Sequence, residues 1–192
     1  MKRAFRLDIA LIHYPVVNKK QEVVGSAVTN LDLHDIARAG RTFGVGRYWV
    51  VTPYRQQQEL AASIAGHWTE GYGGTVNPDR ANALSIIQIR ASLEQVLADI
   101  NEQDGTAPLV VATSASPLCK KISFQGVRST LQAGKSVLLL LGTAWGLAPE
   151  VLERTDAALP PITGPGTYNH LSVRSAASIC LDRLCGNWEE VG

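Results

Sequence analysis

Short apolar runs alternate along the chain with longer segments in which apolar residues recur every three or four positions. Apolar, β-branched runs predict strands, whereas the longer spacing predicts helices that bury one face. Six strands are predicted in this way, at residues 7–17, 48–52, 85–89, 109–113, 137–141 and 157–162. Helices are predicted between and after them, at residues 31–43, 56–68, 93–100, 127–133 and 171–184.

The run at residues 137–141 is apolar at every position, which is typical of a strand covered by helices on both faces. Together with the alternation of strands and helices, it predicts an α/β fold with an open, mostly parallel sheet and helices on both faces. No internal repeat or linker interrupts the pattern. We therefore expect a single domain over residues 1–192.

Loops at the carboxyl ends of the strands are the expected place for a ligand, because open α/β sheets bind ligands there. The candidate loops follow Val17, Thr113, Leu141 and Ile162. Three of them lie in the last eighty residues and are rich in glycine and small residues, which let the backbone approach a ligand closely. They read Thr113-Ser114-Ala115-Ser116, Gly142-Thr143-Ala144-Trp145-Gly146 and Thr163-Gly164-Pro165-Gly166-Thr167-Tyr168-Asn169.

The composition is that of a globular domain, with 45% hydrophobic and 18% charged residues. It excludes a disordered tail or a coiled coil, and the longest apolar run is too short to span a membrane. Polar residues soon after the start exclude a signal peptide. Three cysteines, two of them at positions 180 and 185, match neither a disulfide framework nor a zinc site. The expectation is a soluble, reduced, cytoplasmic protein without a metal.

Net charge is +1, but the charge is unevenly distributed. Residues 1–55 contain nine basic and four acidic side chains, whereas the remaining 137 residues contain nine basic and thirteen acidic ones. A basic half can follow phosphates locally, although no run of basic residues interleaved with aromatic ones accompanies it. Chance scatter of surface charge explains the same asymmetry.

Several common catalytic signatures are absent. The Gly134-Lys135-Ser136 triplet lacks the first glycine of a phosphate-binding loop and precedes a strand instead of following one. The triplet Gly44-Val45-Gly46 is not a dinucleotide-binding fingerprint, and no GxSxG sequence exists. The four histidines have no metal-ligand spacing. These observations argue against kinases, dehydrogenases, esterases and zinc enzymes.

Two segments carry a resemblance to a known family. Residues 32–45, with Arg38 followed by a short helix and Phe43-Gly44, resemble the first motif of SpoU-type RNA methyltransferases. Asp32 and His34 stand where that motif has Asn and Gly. In the carboxyl-terminal third, residues 138–147 resemble the second motif and residues 168–177 the third. Three motifs in order make the chain similar to the SPOUT class, whose members are S-adenosylmethionine-dependent RNA methyltransferases.

The resemblance implies a trefoil knot in a cofactor-binding half at about 107–192, after a Rossmann-like half at about 1–106. It implies S-adenosylmethionine as cofactor, tRNA or rRNA as substrate, and a homodimer formed through the knot and the last helix. Ser172 and Ser175 lie in the first turn of that helix, where free N–H groups favour an anion, although Ser172 equally suits a helix cap. The expected cofactor-binding residues are Thr113, Ser114, Leu141, Gly142, Thr143, Trp145, Gly146, Ile162, Asn169, His170, Leu171, Ser172 and Ser175.

Arg38 and Asp32 are the expected catalytic residues. A guanidinium can hold a phosphate through two hydrogen bonds and stabilise a developing oxyanion, and Asp32 is a candidate proton acceptor, as are Asp35, His34 and His13. SpoU-type second motifs carry a glutamate where this chain has Ala144, so methylation of a base and of a ribose both stay open.

Two other classes compete with this hypothesis. A non-catalytic RNA- or nucleotide-binding module would keep the basic first half without needing S-adenosylmethionine. A flavodoxin-like or nucleotide-hydrolysing α/β enzyme would place another ligand at the same strand ends, but the phosphate-binding loop is missing.

Overall fold

A computed structural model describes residues 6–113 and 120–187 of the chain. Its centre is a six-stranded sheet in the order β5-β4-β1-β7-β6-β8, and every pairing in it is parallel. Two further short strands, β2 and β3, form an antiparallel hairpin. The strands are β1 (Arg6–Ile12), β2 (Val16–Val17), β3 (Val23–Val24), β4 (Tyr48–Val51), β5 (Ile87–Arg90), β6 (Leu109–Thr113), β7 (Ser136–Gly142) and β8 (Ala157–Leu159).

Helices cover both faces of this sheet. They are α1 (Asn30–Thr42), α2 (Arg55–Thr69), α3 (Tyr72–Val76), α4 (Pro78–Leu84), α5 (Leu93–Asp104), α6 (Phe124–Gln132), α7 (Pro149–Leu152) and α8 (Val173–Cys185). Side chains of α1, α2, α4, α6 and α8 share one core cluster, and side chains of α5 and α7 share the other. The predicted open parallel α/β sheet with helices on both faces is therefore confirmed.

The strands β1 and β7 form the centre of the sheet. They pair in register from Arg6 with Ser136 to Ile12 with Gly142, although about 130 residues separate them in the chain. Every position of β7 from Ser136 to Leu141 is buried, as expected for a strand packed on both faces. This pairing places the end of β1 beside the start of the glycine-rich loop after β7.

Capping residues fix the two helices that matter most for the site. Thr29 caps α1, and its hydroxyl accepts a hydrogen bond from the backbone N–H of Asp32 at 3.1 Å. Ser172 caps α8 in the same way, accepting from the N–H of Ser175 at 3.2 Å. Side-chain oxygens at this position satisfy N–H groups that have no partner within the helix.

Several predicted boundaries are wrong, and three of them lie in elements that surround the site. The strand expected at residues 7–17 ends at Ile12, because the chain turns at Tyr14 and Pro15 and continues as the β2–β3 hairpin. The strand expected at residues 157–162 ends at Leu159, since Pro160 and Pro161 have no N–H groups for a sheet. The last helix begins at Val173, not at residue 171. The short helices α3, α4 and α7 are not predicted from the sequence.

Among the described residues, none of the helices is both long enough and apolar enough to cross a lipid bilayer.

Candidate functional site

The loop after β7, residues that follow β8 and Thr113 at the end of β6 surround one cavity of about 800 Å³ at the carboxyl ends of these strands. The start of α8 and the first turn of α1 close its sides. A cavity of this size is typical of a small-molecule or cofactor site. Its walls include Ser26, Ala27, Thr29, Asp32, Thr113, Leu141, Gly142, Thr143, Ala144, Trp145, Gly146, Leu159, Pro160, Pro161, Ile162, Asn169, His170, Leu171, Ser172, Val173, Arg174, Ala176 and Cys180.

The loop after β7 is a tight turn fixed by backbone hydrogen bonds. The N–H of Gly146 donates to the carbonyl of Thr143 at 2.9 Å, and Gly146 has a φ of 118°, which favours glycine. The loop is also tied to β2, because Trp145 and Val17 are joined by a backbone bond of 2.9 Å. Gly142 has no room for a side chain, since a Cβ there would lie 2.8 Å from the backbone nitrogen of Leu147. These features hold a rigid backbone wall against the cavity.

A buried polar network supports this loop from behind. The hydroxyl of Thr143 lies 2.6 Å from that of Ser26 and donates to the carbonyl of Ile12 at 3.0 Å. Nδ1 of His13 lies 3.0 Å from the same Ser26 hydroxyl. Burial lowers the pKa of His13 to about 4, against the opposing effects of the Asp32 charge and a hydrogen bond with the backbone of Ala27. His13 is therefore neutral at pH 7 and belongs to the support of the loop.

Asp32 lies at the cavity wall with both carboxylate oxygens engaged. Oδ1 accepts a hydrogen bond from Nη1 of Arg174 at 2.8 Å, and Oδ2 accepts one from the Thr29 hydroxyl at 2.7 Å. Nε of Arg174 also lies 3.4 Å from Oδ2 of Asp35. The Asp32 side chain is only 8% exposed, whereas that of Arg174 is 32% exposed. Both residues line the cavity, and the side chain of Arg174 is the more exposed of the two.

The residues at and just before the start of α8 contribute further polar groups to the cavity wall. Ser172 lines the cavity and also caps the helix, so the two interpretations of this residue are compatible. Its hydroxyl lies 3.0 Å from that of Ser175, which is exposed and is not part of the cavity wall. The exposed residues Asn169, His170 and Leu171 complete the rim.

Four of the five remaining predicted cofactor-binding residues line the cavity. Leu141 and Ile162 line the cavity, as does Thr113, whose hydroxyl donates to the carbonyl of Leu140 at 2.8 Å. Trp145 is 61% exposed at the cavity mouth, so it is not a core residue. Ser114 lies outside the described residues.

The structure separates the two expected catalytic residues. Asp32 lines the cavity described above, but Arg38 does not; it lines a second cavity between α1, α2 and α4. Six residues of α1 separate the two positions, which places them on different sides of the helix and about 9 Å apart along its axis. Arg174 is the residue beside Asp32, and no sequence pattern predicts this contact.

The cavity wall combines apolar surface, a close backbone approach and polar groups. Leu141, Leu159 and Ile162 provide apolar surface, Gly142 a close backbone approach, and Ser172 and Arg174 partners for an anionic group. Among the described residues, no three histidine, cysteine, aspartate or glutamate side chains are grouped as metal ligands would be. The apolar and polar groups of the wall together suit an organic cofactor at the strand ends of an open parallel α/β sheet.

Comparison with known proteins identifies the family. A family model described as SAM-dependent RNA methyltransferase matches residues 6–186, so the chain belongs to this family. This membership confirms the predicted class of RNA methyltransferases and the predicted cofactor, S-adenosylmethionine (SAM).

Two relatives and one solved structure illustrate the relationship. A protein of Oleidesulfovibrio alaskensis named tRNA (guanine-N(1)-)-methyltransferase is 48% identical over 181 residues, covering 94% of this chain and 42% of the relative. The chain thus spans about two fifths of that protein. An uncharacterised protein of Aquifex aeolicus is 34% identical over 177 residues, and the match covers 92% of this chain and 86% of the Aquifex protein. The fold is also that of a solved structure, the SpoU methyltransferase AviRb of Streptomyces viridochromogenes in complex with AdoMet. The TM-score is 0.59 and the sequence identity 15%, and the match covers 96% of this chain and 58% of AviRb.

Proposed function

We propose that the protein transfers a methyl group from S-adenosylmethionine to a nucleotide of RNA, in the cytoplasm. The observation that carries this proposal is the cavity that the loop after β7, the residues after β8 and the start of α8 build together at the strand ends. Family membership supports both the cofactor and the RNA substrate. When bound, the cofactor supplies the methyl group carried on its sulfonium.

The residues proposed to bind the cofactor are those of the cavity wall. The backbone at Leu141, Gly142, Ile162 and Leu171 is proposed for the adenosine portion. Ser172 at the start of α8 is proposed for an anionic group, because the N-terminal end of a helix favours negative charge. Ser175 acts through Ser172, since its hydroxyl contacts Ser172 at 3.0 Å and does not line the cavity.

Arg174 is proposed to bind an anionic group in the cavity, and Asp32 to position Arg174. A carboxylate whose two oxygens already accept hydrogen bonds is poorly placed to take a proton, so Asp32 acts here as a positioning residue. Arg38 is proposed to contact an RNA phosphate and not the reacting atoms, because it lines a different cavity.

tRNA is the first RNA to test. The O. alaskensis relative is named for tRNA and for guanine N1, but it is more than twice as long as this chain. The activity in its name can reside in the part that this chain does not match. The experiment on the reaction therefore tests for methylation of a base and for methylation of a ribose.

We also propose a homodimer and a knotted carboxyl-terminal half. The apolar stripe of α8 does not support the dimer, since Ala177, Cys180, Leu181 and Leu184 are buried within the chain itself. Support comes instead from large apolar side chains exposed around the cavity mouth and the start of α1. These are Leu31, Trp145, Tyr168 and Leu171.

Calorimetric titration with S-adenosylmethionine tests the cofactor site. We expect micromolar binding to the wild-type protein and none to Ala176→Trp, because Ala176 lines the cavity and the indole would fill it. Ala62→Trp makes the same change at an exposed position of α2 and should bind normally. Failure of the wild-type protein to bind would contradict the proposal.

Nucleoside mass spectrometry tests the reaction. Total tRNA and, separately, rRNA are incubated with the protein and isotope-labelled S-adenosylmethionine, then digested to nucleosides. A labelled nucleoside identifies the methylated atom as part of a base or a ribose. If the protein binds S-adenosylmethionine but transfers its methyl group to neither RNA, it is a cofactor-binding protein and the proposed reaction is wrong.

A further inference from the structure

A second cavity, here called the helical cleft, lies between α1, α2 and α4 and has a volume of about 720 Å³. It is separate from the cofactor cavity, with which it shares no lining residue. The helical cleft is lined by Asn30, Leu31, His34, Asp35, Arg38, Ser63, Ile64, His67, Trp68 and Arg80.

Trp68 is the centre of an aromatic and cationic cluster in the cleft. The Arg80 guanidinium lies over its ring, 4.6 Å from the centroid. The rings of His34 and His67 meet it edge-on, at centroid distances of 5.6 and 5.1 Å. Planar groups from three helices are thus gathered at one concave surface, and stacking on such groups is how proteins bind unpaired bases.

The cleft is also electropositive. Arg38 and Arg80 form no ion pair with a carboxylate in the part of the chain that the structure describes. Asp35 is the one acidic residue among the described residues lining the cleft, and it lies 3.4 Å from Nε of Arg174. Burial lowers the pKa of His34, and the charges of Arg80 and Arg38 lower it further against the effect of Asp35. The positive charges of Arg80 and Arg38 therefore both act on His34 in the wall of the cleft.

The combination of groups selects the ligand. Two guanidinium groups without carboxylate partners suit a phosphate, which arginine can bind through two hydrogen bonds. The aromatic cluster suits a base, while Asn30 and Ser63 add hydrogen-bonding groups. A purely apolar ligand would leave the guanidinium groups unused, and a purely anionic one would leave Trp68 unused.

The position of the cleft relates it to the cofactor cavity. Helix α1 contributes Asp32 to the cofactor cavity and Arg38 to the cleft, about 9 Å apart along the helix axis. An RNA strand that crosses α1 can therefore reach both cavities. A nucleotide in the cleft would be close in sequence to the one whose atom is methylated.

We propose that the helical cleft binds one unpaired nucleotide of the RNA substrate, its phosphate at Arg38 and Arg80 and its base at the Trp68 cluster. This inference rests on the proposed function, since it takes RNA as the substrate. The cleft would then help to choose the RNA without touching the methyl group.

Fluorescence anisotropy tests the proposal with a fluorescein-labelled, single-stranded RNA 12-mer of mixed sequence and with labelled total tRNA. The variants are Arg80→Gln and the double variant Arg38→Gln/Arg80→Gln. Arg55→Gln is the matched control, because Arg55 is an exposed arginine of α2 outside the cleft and pairs only with Glu59 among the described residues. Binding is measured over a range of salt concentrations, and S-adenosylmethionine binding is measured in parallel by calorimetry.

We expect the double variant to weaken RNA binding on the order of tenfold and to reduce the slope of log K against log salt by about 1.4, about 0.7 for each lost phosphate contact. Arg80→Gln should have about half the effect on the slope, and Arg55→Gln almost none. Cofactor binding should be unchanged in all three variants.

Three results would overturn the proposal. RNA binding by the double variant equal to that of the wild-type protein would exclude the cleft as an RNA site. Absence of RNA binding by a wild-type protein that still binds the cofactor would do the same. A double variant that is monomeric in sedimentation, where the wild-type protein is dimeric, would assign the cleft to a subunit interface. Absence of cofactor binding by the wild-type protein would instead contradict the proposed function.

Discussion

Arg174, in the first turn of α8, donates a hydrogen bond from Nη1 to Oδ1 of Asp32 at 2.8 Å, across 142 positions of the chain. This bond joins the two helices that flank the cofactor cavity. It also fixes the guanidinium of Arg174 in the cavity wall, together with the Asp35 carboxylate that lies 3.4 Å from Nε.

Replacement of Asp32 by Asn should weaken cofactor binding and, with it, methyl transfer. The substitution removes the charge that holds Arg174 but keeps the size of the side chain. Because Arg174 is proposed to bind an anionic group in the cofactor cavity, we expect the Kd for S-adenosylmethionine to rise ~10-fold and kcat to fall as well when Arg174 loses its position. Asp35→Asn is the control, since Asp35 contacts the same arginine from a 49% exposed position and should change kcat by less than about twofold. Equal effects of both substitutions would contradict the role given to Asp32.

Replacement of Gly142 by Ala should abolish cofactor binding. The new Cβ would lie 2.8 Å from the backbone nitrogen of Leu147, so the loop itself must move. We expect affinity for S-adenosylmethionine to fall at least ~10-fold, because the backbone wall of the cavity shifts. Gly66→Ala in α2 has open space around it and should stabilise the protein by about 0.5–1 kcal/mol without changing affinity. Calorimetry and thermal unfolding measure both quantities.

Two substitutions at Ser172 should separate its capping role from its role in the cavity. Ser172→Ala removes the cap of α8 and should lower the free energy of unfolding by about 1 kcal/mol. Ser172→Asp keeps a good capping residue, so stability should be retained, but it adds negative charge where an anionic group is proposed to bind. If the affinity for S-adenosylmethionine falls in Ser172→Ala and stays normal in Ser172→Asp, Ser172 acts only as the cap of α8 and does not contact the cofactor.

His13 should make stability depend on pH. Its pKa is lowered to about 4 in the folded protein from 6.5, so between these values the unfolded chain binds the extra proton. The free energy of unfolding should therefore fall as pH decreases from about 6.5 to about 4, by ~3 kcal/mol from this residue. Urea unfolding at pH 7 and pH 4.5 measures the change. His13→Gln should show a smaller difference between the two pH values, and an equal difference would contradict the assignment.

Local sequence patterns predict the overall α/β architecture of the molecule well. The apolar run that becomes β7 and the glycine-rich loop after it are visible in the sequence, because strand burial and close backbone approach each need particular residues in a row. The short helices α3 and α4 are not predicted. Gly73 and Gly74 in α3 are typical of turns, whereas α4 begins with an Asn77 cap and Pro78 at its first position, a helix start that the sequence does contain.

Pairings between distant residues are the part that the sequence does not predict. Arg174 meets Asp32 only because α8 packs on α1, and no spacing rule relates positions that far apart. The helical cleft is a similar case. No basic run interleaved with aromatic residues exists along the chain, yet Arg38, Trp68 and Arg80 come together from three helices. The same packing leaves Arg38 outside the cofactor cavity.

The pairing of β1 with β7 has a consequence for how the chain is made. During synthesis, β1 emerges more than a hundred residues before its partner, so one hydrogen-bonding edge of Arg6–Ile12 stays open until Ser136–Gly142 has left the ribosome. An apolar strand with an open edge readily pairs with other chains. A fragment that stops before residue 136 should therefore aggregate, and the nascent chain should need a chaperone over this stretch of translation.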